Sequence, residues 1–310
     1  MGVSSCLLGN PVRYNGGHKR DRYVTDTLAT YFDFVPVCPE VECGLPVPRE
    51  TMHLAGNPDN PRLVTTQSGV DHTDRMKRFC EQKVAELKNE NLGAFIFKKD
   101  SPSSGLHRVK VFGNSGKASK KGRGLFADAI VNHFPLLPVE EEGRLNDVYL
   151  RENFIERVFC YHRWKNFLEN GPDYKKLVDF HTRHKLQIMA HSPKHLSWMG
   201  KLVAAGKDIE QRELFEQYQE YLMQAMTLKA TIKKNVNVLY HIMGHFKNYI
   251  SRDEKAELIE VIEDYSRAII PLVVPLTLIK HYVRKYEVPY LQHQVYLEPH
   301  PAELMLRNHV

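Results

Sequence analysis

Residues 98–113, KKDSPSSGLHRVKVFG, place three serine hydroxyls and a proline behind an apolar segment and ahead of a basic one. Alone, Ser101, Ser103 and Ser104 are turn residues, because their hydroxyls bond nearby backbone groups and Pro102 fixes φ. The other reactive side chains are scattered. Five cysteines stand at positions 6, 38, 43, 80 and 160. An odd count without a secretory leader argues against a disulfide framework and leaves reduced thiols or metal ligands. No pair forms C-x-x-C; Cys38 and Cys43, in CPEVEC, come nearest. His191 with His195, and His241 with His245, set two imidazoles on one helix face. Neither pair has the glutamate of a metalloprotease helix, and Pro193 interrupts the first. Packing or phosphate contact is expected there rather than a second metal site.

These residues need elements that bring them together. The first part of the chain alternates short apolar runs with turns and helical patterns, which predicts a parallel, Rossmann-like α/β sheet. GVSSCLL and DFVPVC read as strands, 72–89 as a helix, AFIFK as a buried strand, GLFADAIVNHF as a helix and FPLLPVE as a last strand. In such sheets ligands bind at the carboxyl ends of strands. Cys6, Cys38 and Ser104 lie at or just past such ends, so three distant segments are expected to converge. Cys80 and Cys160 fall on apolar stripes and read as core. After a linker, EEEGRLND, the texture becomes all-helical, with amphipathic segments at 148–168, 174–191, 193–205, 209–226, 228–246 and 253–267. The predicted architecture is an α/β domain over 1–144 followed by an all-α domain over 145–310.

Hydrophobic content of 42% and charged content of 26% are ordinary for a globular protein. No apolar run reaches the roughly 18 residues of a spanning helix, and MGVSSCLLGN lacks a basic segment followed by an apolar one. A cytoplasmic protein with no membrane partner and no obligate protein partner is expected. The net charge of +6 is modest but unevenly spread. Residues 105–127, 180–206 and 221–251 contain no acid, and their lysines and arginines are interleaved with Tyr, His and Phe. That pattern favours a polyanion such as nucleic acid.

Five motifs, SSCLLG at 4–9, RYNGG at 13–17, VCPE at 37–40, GLPVPRE at 44–50 and SPSSG at 101–105, resemble in order those of the thiouracil desulfidase (TudS) family. The family pattern is close to S-x-C-L-L-G, R-Y-D-G, V-C-P-E, G-L-x-x-P-R and S-P-S-C-G. The segments NFIERVFCYHRWKNFL and HTRHKLQIMAHSPKHLSWMGKLV resemble the YbgA-like domain. The combination is similar to bacterial desulfidases that convert 4-thiouridine in transfer RNA to uridine.

The resemblance implies a 4Fe–4S cluster held by three cysteines, with one iron open for the substrate sulfur. Cys6 and Cys38 match two ligands; the third position is Ser104, a hydroxyl where a thiolate suits iron better. Three readings stay open: an engineered serine, a natural site in which serine or Cys43 substitutes, or a lost activity. By motif, Glu40 is the candidate to activate water or move protons, and Ser101 to bond the ring or relay a proton. Arg13, Tyr14, Arg49, Ser103 and Lys98 are candidates for substrate contact, or for pinning the loops. Lys117, Lys120, Lys121, Arg123, Arg183, Lys185 and Lys194 are the expected RNA-binding cations, and GNSGKASKKGRG is expected to be a flexible loop. Free thiouracil or a thionucleoside is the alternative substrate. A non-catalytic RNA-binding protein is the second alternative.

Overall fold

A computed structural model describes residues 1–113 and 117–309. The chain forms two compact units, Met1–Asp147 and Val148–Val310. In the first, β1 (Gly2–Ser4), β2 (Val35–Val37), β5 (Phe95–Phe97) and β8 (Val139–Glu141) make an all-parallel sheet in the order β2-β1-β5-β8. Chain order reverses beside β1, so the crevice for a ligand opens at the carboxyl ends of β1 and β5. Helices α1 (Pro39–Glu42), α2 (Thr73–Leu87) and α3 (Leu125–His133) complete the layers. Phe95, Phe97 and Phe126 are fully buried and in mutual ring contact where α3 meets the sheet. Cys80 is buried among the apolar residues of α2.

A second sheet goes beyond the single sheet expected from the sequence. It joins β3 (Met52–Asn57), β4 (Asn60–Thr65), β6 (Val109–Phe112) and β7 (Ala118–Gly122) in the order β4-β3-β6-β7. Pro61 is tolerated because β4 lies at the edge. Strand β7, ASKKG, has little intrinsic β-propensity and forms by pairing with β6. Lys120 and Lys121 therefore stand on a strand, not in the expected loop; residues 114–116 of that loop lie outside the described residues. Two other expectations change. Cys6 sits in a 3-10 turn, Ser5–Leu8, rather than in a strand. The glutamates of EEEGRLND are not linker, since Glu140, Glu141 and Glu142 are all buried in the first unit.

The second unit is helical throughout: α4 (Val148–Glu169), α5 (Tyr174–His191), α6 (Pro193–Ala205), α7 (Gln211–Thr227), α8 (Ile232–His245), α9 (Arg252–Ser266), α10 (Val273–Tyr286) and α11 (Pro289–Gln292). Side chains of Asp173, Ser192, Glu210, Thr231 and Ser251 cap five of these starts, satisfying backbone N–H groups that have no partner in the first turn. Pro275 occupies the first turn of α10, where a missing N–H breaks no helical bond.

His181, His184 and His191 are buried, so they pack rather than bind phosphate. Arg163 Nε donates to His184 Nε2 at 3.2 Å, which leaves Nδ1 to donate to the Phe180 carbonyl at 2.7 Å. The ring is thus neutral. Burial, aided by Lys185, holds His181 down to about 4; burial with Arg163 holds His184 to about 3. Between the ordinary 6.5 and about 4, the folded unit binds fewer protons than the unfolded chain. This contribution to stability is full above pH 6.5 and is lost as pH falls through the folded values. Urea midpoints followed by far-UV circular dichroism will therefore drop between pH 6.5 and 4. A flat profile would mean that the rings protonate in place.

Candidate active site

The segments leaving β1, β2 and β5 enclose a cavity of about 450 Å³. Its wall includes Cys6, Cys38, Glu40, Ser101 and Ser104, together with Arg13, Tyr14, Arg49 and Lys98. Cys38 is the N-cap of α1, with its N–H donating to Glu42 Oε1 at 2.7 Å. Burial pushes the Cys6 thiol up to about 11 and, with the Glu40 carboxylate beside it, Cys38 to about 12. Both are protonated at neutral pH unless a cation enters the cavity. Cys43, the alternative third donor, sits just outside the wall, its Sγ donating to the Glu40 carbonyl at 3.2 Å.

Glu40 is held from several sides. Ser103 Oγ donates to its Oε1 at 2.6 Å, Cys38 Sγ lies 3.5 Å from its Oε2, and Arg49 Nη2 lies 3.8 Å from the same oxygen. Arg49 also donates to the carbonyls of Val12 and Pro46 at 3.0 and 3.4 Å, so it pins the loops as well as facing the cavity. Ser103 itself is fully buried and absent from the wall. Its motif raised the expectation of substrate contact; here its hydroxyl is bonded to the Glu40 carboxylate behind the wall. Ser101 Oγ lies 3.0 Å from Ser103 Oγ and accepts the Ser104 N–H at 3.1 Å.

The serine loop is fixed from outside the site. N–H groups of Phe126 and Ala127, in the first turn of α3, donate to the Ser103 carbonyl at 2.9 and 3.2 Å. A side chain at Gly124 would come within 2.4 Å of Ser103 backbone, so only glycine permits this approach. Glu141 Oε1 accepts the N–H groups of Leu106 and His107 at 2.8 and 3.0 Å. Glu142 accepts the Lys99 N–H at 2.7 Å and also the Lys98 ammonium. Lys98 therefore reaches the wall already paired. None of these anchors is evident in the sequence; Glu141 and Glu142 follow a strand-like segment, but their charge suggests solvent.

The basic residues separate into different places. Lys120, Lys121 and Arg123 line a larger groove, joined there by Lys99, Arg108 and Lys110. Met52, Lys99, Asp100 and Pro102 belong to both walls, so the groove borders the cavity. Arg123 is paired with Asp128 at 3.1 Å. Lys117 is exposed but outside the groove wall. In the helical unit Arg183 is 3.9 Å from Asp179, Lys185 is half-buried, and Lys194 lies over Trp198.

Among the described residues, no group of three His, Cys, Asp or Glu side chains is arranged to hold a metal ion. At the three motif positions the cavity presents two thiols, Cys6 and Cys38, and the Ser104 hydroxyl. That set fits a three-cysteine cluster site at two corners and departs from it at Ser104, a harder donor.

Two buried thiols beside a carboxylate, at the carboxyl ends of a parallel sheet, define an α/β thiol-site domain joined to a helical one. The 2-thiouracil desulfurase family matches residues 1–142, and a family described as a protein of unknown function, DUF1722, matches residues 185–301. YbgA of Escherichia coli (strain K12) is 33% identical over 161 residues, covering 51% of this chain and 94% of YbgA. YbbK of Bacillus subtilis (strain 168) is 31% identical over 151 residues, 47% of this chain and 97% of YbbK. A solved structure titled a [4Fe-4S]-dependent thiouracil desulfidase, TudS, is 31% identical, with a TM-score of 0.40 over 47% of this chain and 93% of that one. The chain belongs to the 2-thiouracil desulfurase family, with a YbgA-like, DUF1722 helical part.

Removing the Ser103 hydroxyl leaves the Glu40 carboxylate, whose side chain is only 13% exposed, without its shortest donor. Ser103→Ala will lower stability by about 1–3 kcal/mol in urea denaturation. An unchanged midpoint would show that water or Arg49 replaces the bond at no cost.

Proposed function

We propose that this protein removes sulfur from 4-thiouridine in transfer RNA, replacing C=S by C=O with water and releasing hydrogen sulfide. The observation that carries the reading is the juxtaposition of cavity and groove: two thiols, a carboxylate and hydroxyls at the base, with lysines along the adjoining wall. A 4Fe–4S cluster, which the family motifs imply, would be held by Cys6 and Cys38 and would supply a soft Lewis acid for the departing sulfur. Glu40 lies beside the cavity with its carboxylate already oriented and takes the proton of the attacking water. Ser101 faces the same space and donates to the pyrimidine ring. Lys99, Arg108, Lys110, Lys120 and Lys121 neutralise phosphates of the RNA, whose thiolated base must leave its stack to enter. Free thiouracil would fit the cavity but has no use for that groove.

The protein and its Ser104→Cys variant, reconstituted anaerobically with iron and sulfide, will differ. The cysteine form will hold the cluster and desulfurate 4-thiouridine in transfer RNA about 100-fold or more faster, because loss of even an outer-shell partner costs about 10–100-fold. Equal cluster content and turnover would point to serine or Cys43 as a competent third ligand. A full cluster without turnover would redirect the assignment to free thiouracil.

Replacing Lys120 and Lys121 with alanine will weaken transfer RNA binding and reduce the slope of log K against log salt by about 2, one for each phosphate no longer neutralised. Unchanged binding would remove the groove from the RNA path.

A further inference from the structure

The chain has two tryptophans, and they are placed oppositely. Trp164 is completely buried, stacked between Phe167 and Tyr218 in the helical core. Trp198 is 39% exposed on α6, whose core face is supplied instead by Met199, Leu202 and Val203. Part of its indole is open to solvent, and its surroundings define what would complement it. The Lys194 ammonium lies 4.4 Å from the ring centroid, and the His195 and Tyr221 rings lie at 5.1 and 5.9 Å. His195 is fixed by Ser192, whose Oγ lies 2.8 Å from Nδ1. Residues 180–206 contain no acid, and Lys201 stands one helical turn beyond Trp198. On α7, Glu220 adjoins Tyr221 in sequence, and its carboxylate accepts from Gln224 at 3.0 Å.

We propose that Trp198, with His195 and Tyr221 around it, is a nucleobase-stacking platform, and that Lys194 and Lys201 meet the flanking phosphates of an unpaired RNA segment. This rests on the reading of RNA as the substrate and adds a second, sequence-tolerant contact to it. Every base offers a π-face to an aromatic ring, whereas bases within a duplex are already stacked. The platform therefore selects unpaired nucleotides and is indifferent to thiolation.

Because Trp164 is sealed in the core, quenching of tryptophan fluorescence by added RNA reports on Trp198. The intact protein is titrated with a single-stranded RNA oligonucleotide, with a duplex of the same length and with an unmodified transfer RNA transcript. The single strand and the transcript will quench, and the duplex will not. Trp198→Ala will weaken binding of the single strand about tenfold by fluorescence anisotropy, and Trp198→Phe will restore most of it. Turnover of 4-thiouridine nucleoside by the reconstituted Ser104→Cys protein will be unaffected by either change. Equal affinity of the alanine form, or equal quenching by the duplex, overturns the platform. A change in oligomeric state on Trp198→Ala, seen by sedimentation, overturns it in favour of a second copy as occupant. Quenching without any desulfurating activity would leave the platform standing while sinking the desulfidase reading; turnover without quenching would do the reverse.

Discussion

The hydrogen bond from the Ser103 hydroxyl to the Glu40 carboxylate joins the serine loop to α1 across 63 residues of sequence, and the site depends on it. A carboxylate beside a buried thiol needs a donor to stay oriented, and a buried hydroxyl is worth keeping only if it is bonded. Each group supplies the other's requirement. Because Ser103 also gives its carbonyl to the first turn of α3, the position of Glu40 is tied to a helix packed on the sheet. Glu141 and Glu142 hold the two flanks of the same loop from the end of β8. The cavity is therefore assembled on backbone that has few alternatives, which favours accurate placement of reacting groups.

The same arrangement fixes the loop backbone at position 104. Ser104 is held through its backbone N–H, which donates to Ser101 Oγ at 3.1 Å, and through a longer contact of 3.4 Å between its hydroxyl and that of Ser103. Serine and cysteine differ there in donor softness much more than in the space they need. The protonated state of Cys6 and Cys38 follows from burial, and only a metal centre would draw both to thiolate together.

The helical unit uses its ionisable groups differently. Its buried histidines are fixed by specific partners: His184 by Arg163 and the Phe180 carbonyl, His191 by Glu156 at 2.8 Å and the Leu228 carbonyl at 2.6 Å. These groups order the interior. Lys194 and Trp198, by contrast, remain accessible to solvent. No helix among the described residues is long and apolar enough to cross a membrane.

The sequence alone determined the chain order of the first sheet's strands and of helices α2 to α9, because local chemistry decides it. Apolar periodicity marks α2 and the helices from α4 to α9 within a few residues, and residues suited to capping, such as Asp173, Ser192 and Ser251, stand at their starts. The motifs around Cys6, Cys38 and Ser101 mark where the site lies, since glycine, proline and serine turns follow short buried strands. Tertiary structure decided the rest. Strand β7 exists only through its partner, because ASKKG has little propensity of its own. Glu141 at the end of β8 and Glu142 just after it are buried where backbone N–H groups flanking the serine loop meet them, although charge on its own points to solvent. Ser103 and Ser104 are adjacent and chemically identical, yet one faces inward to Glu40 and the other lines the cavity. That difference comes from the direction each Cα–Cβ bond takes once the loop is packed against α3.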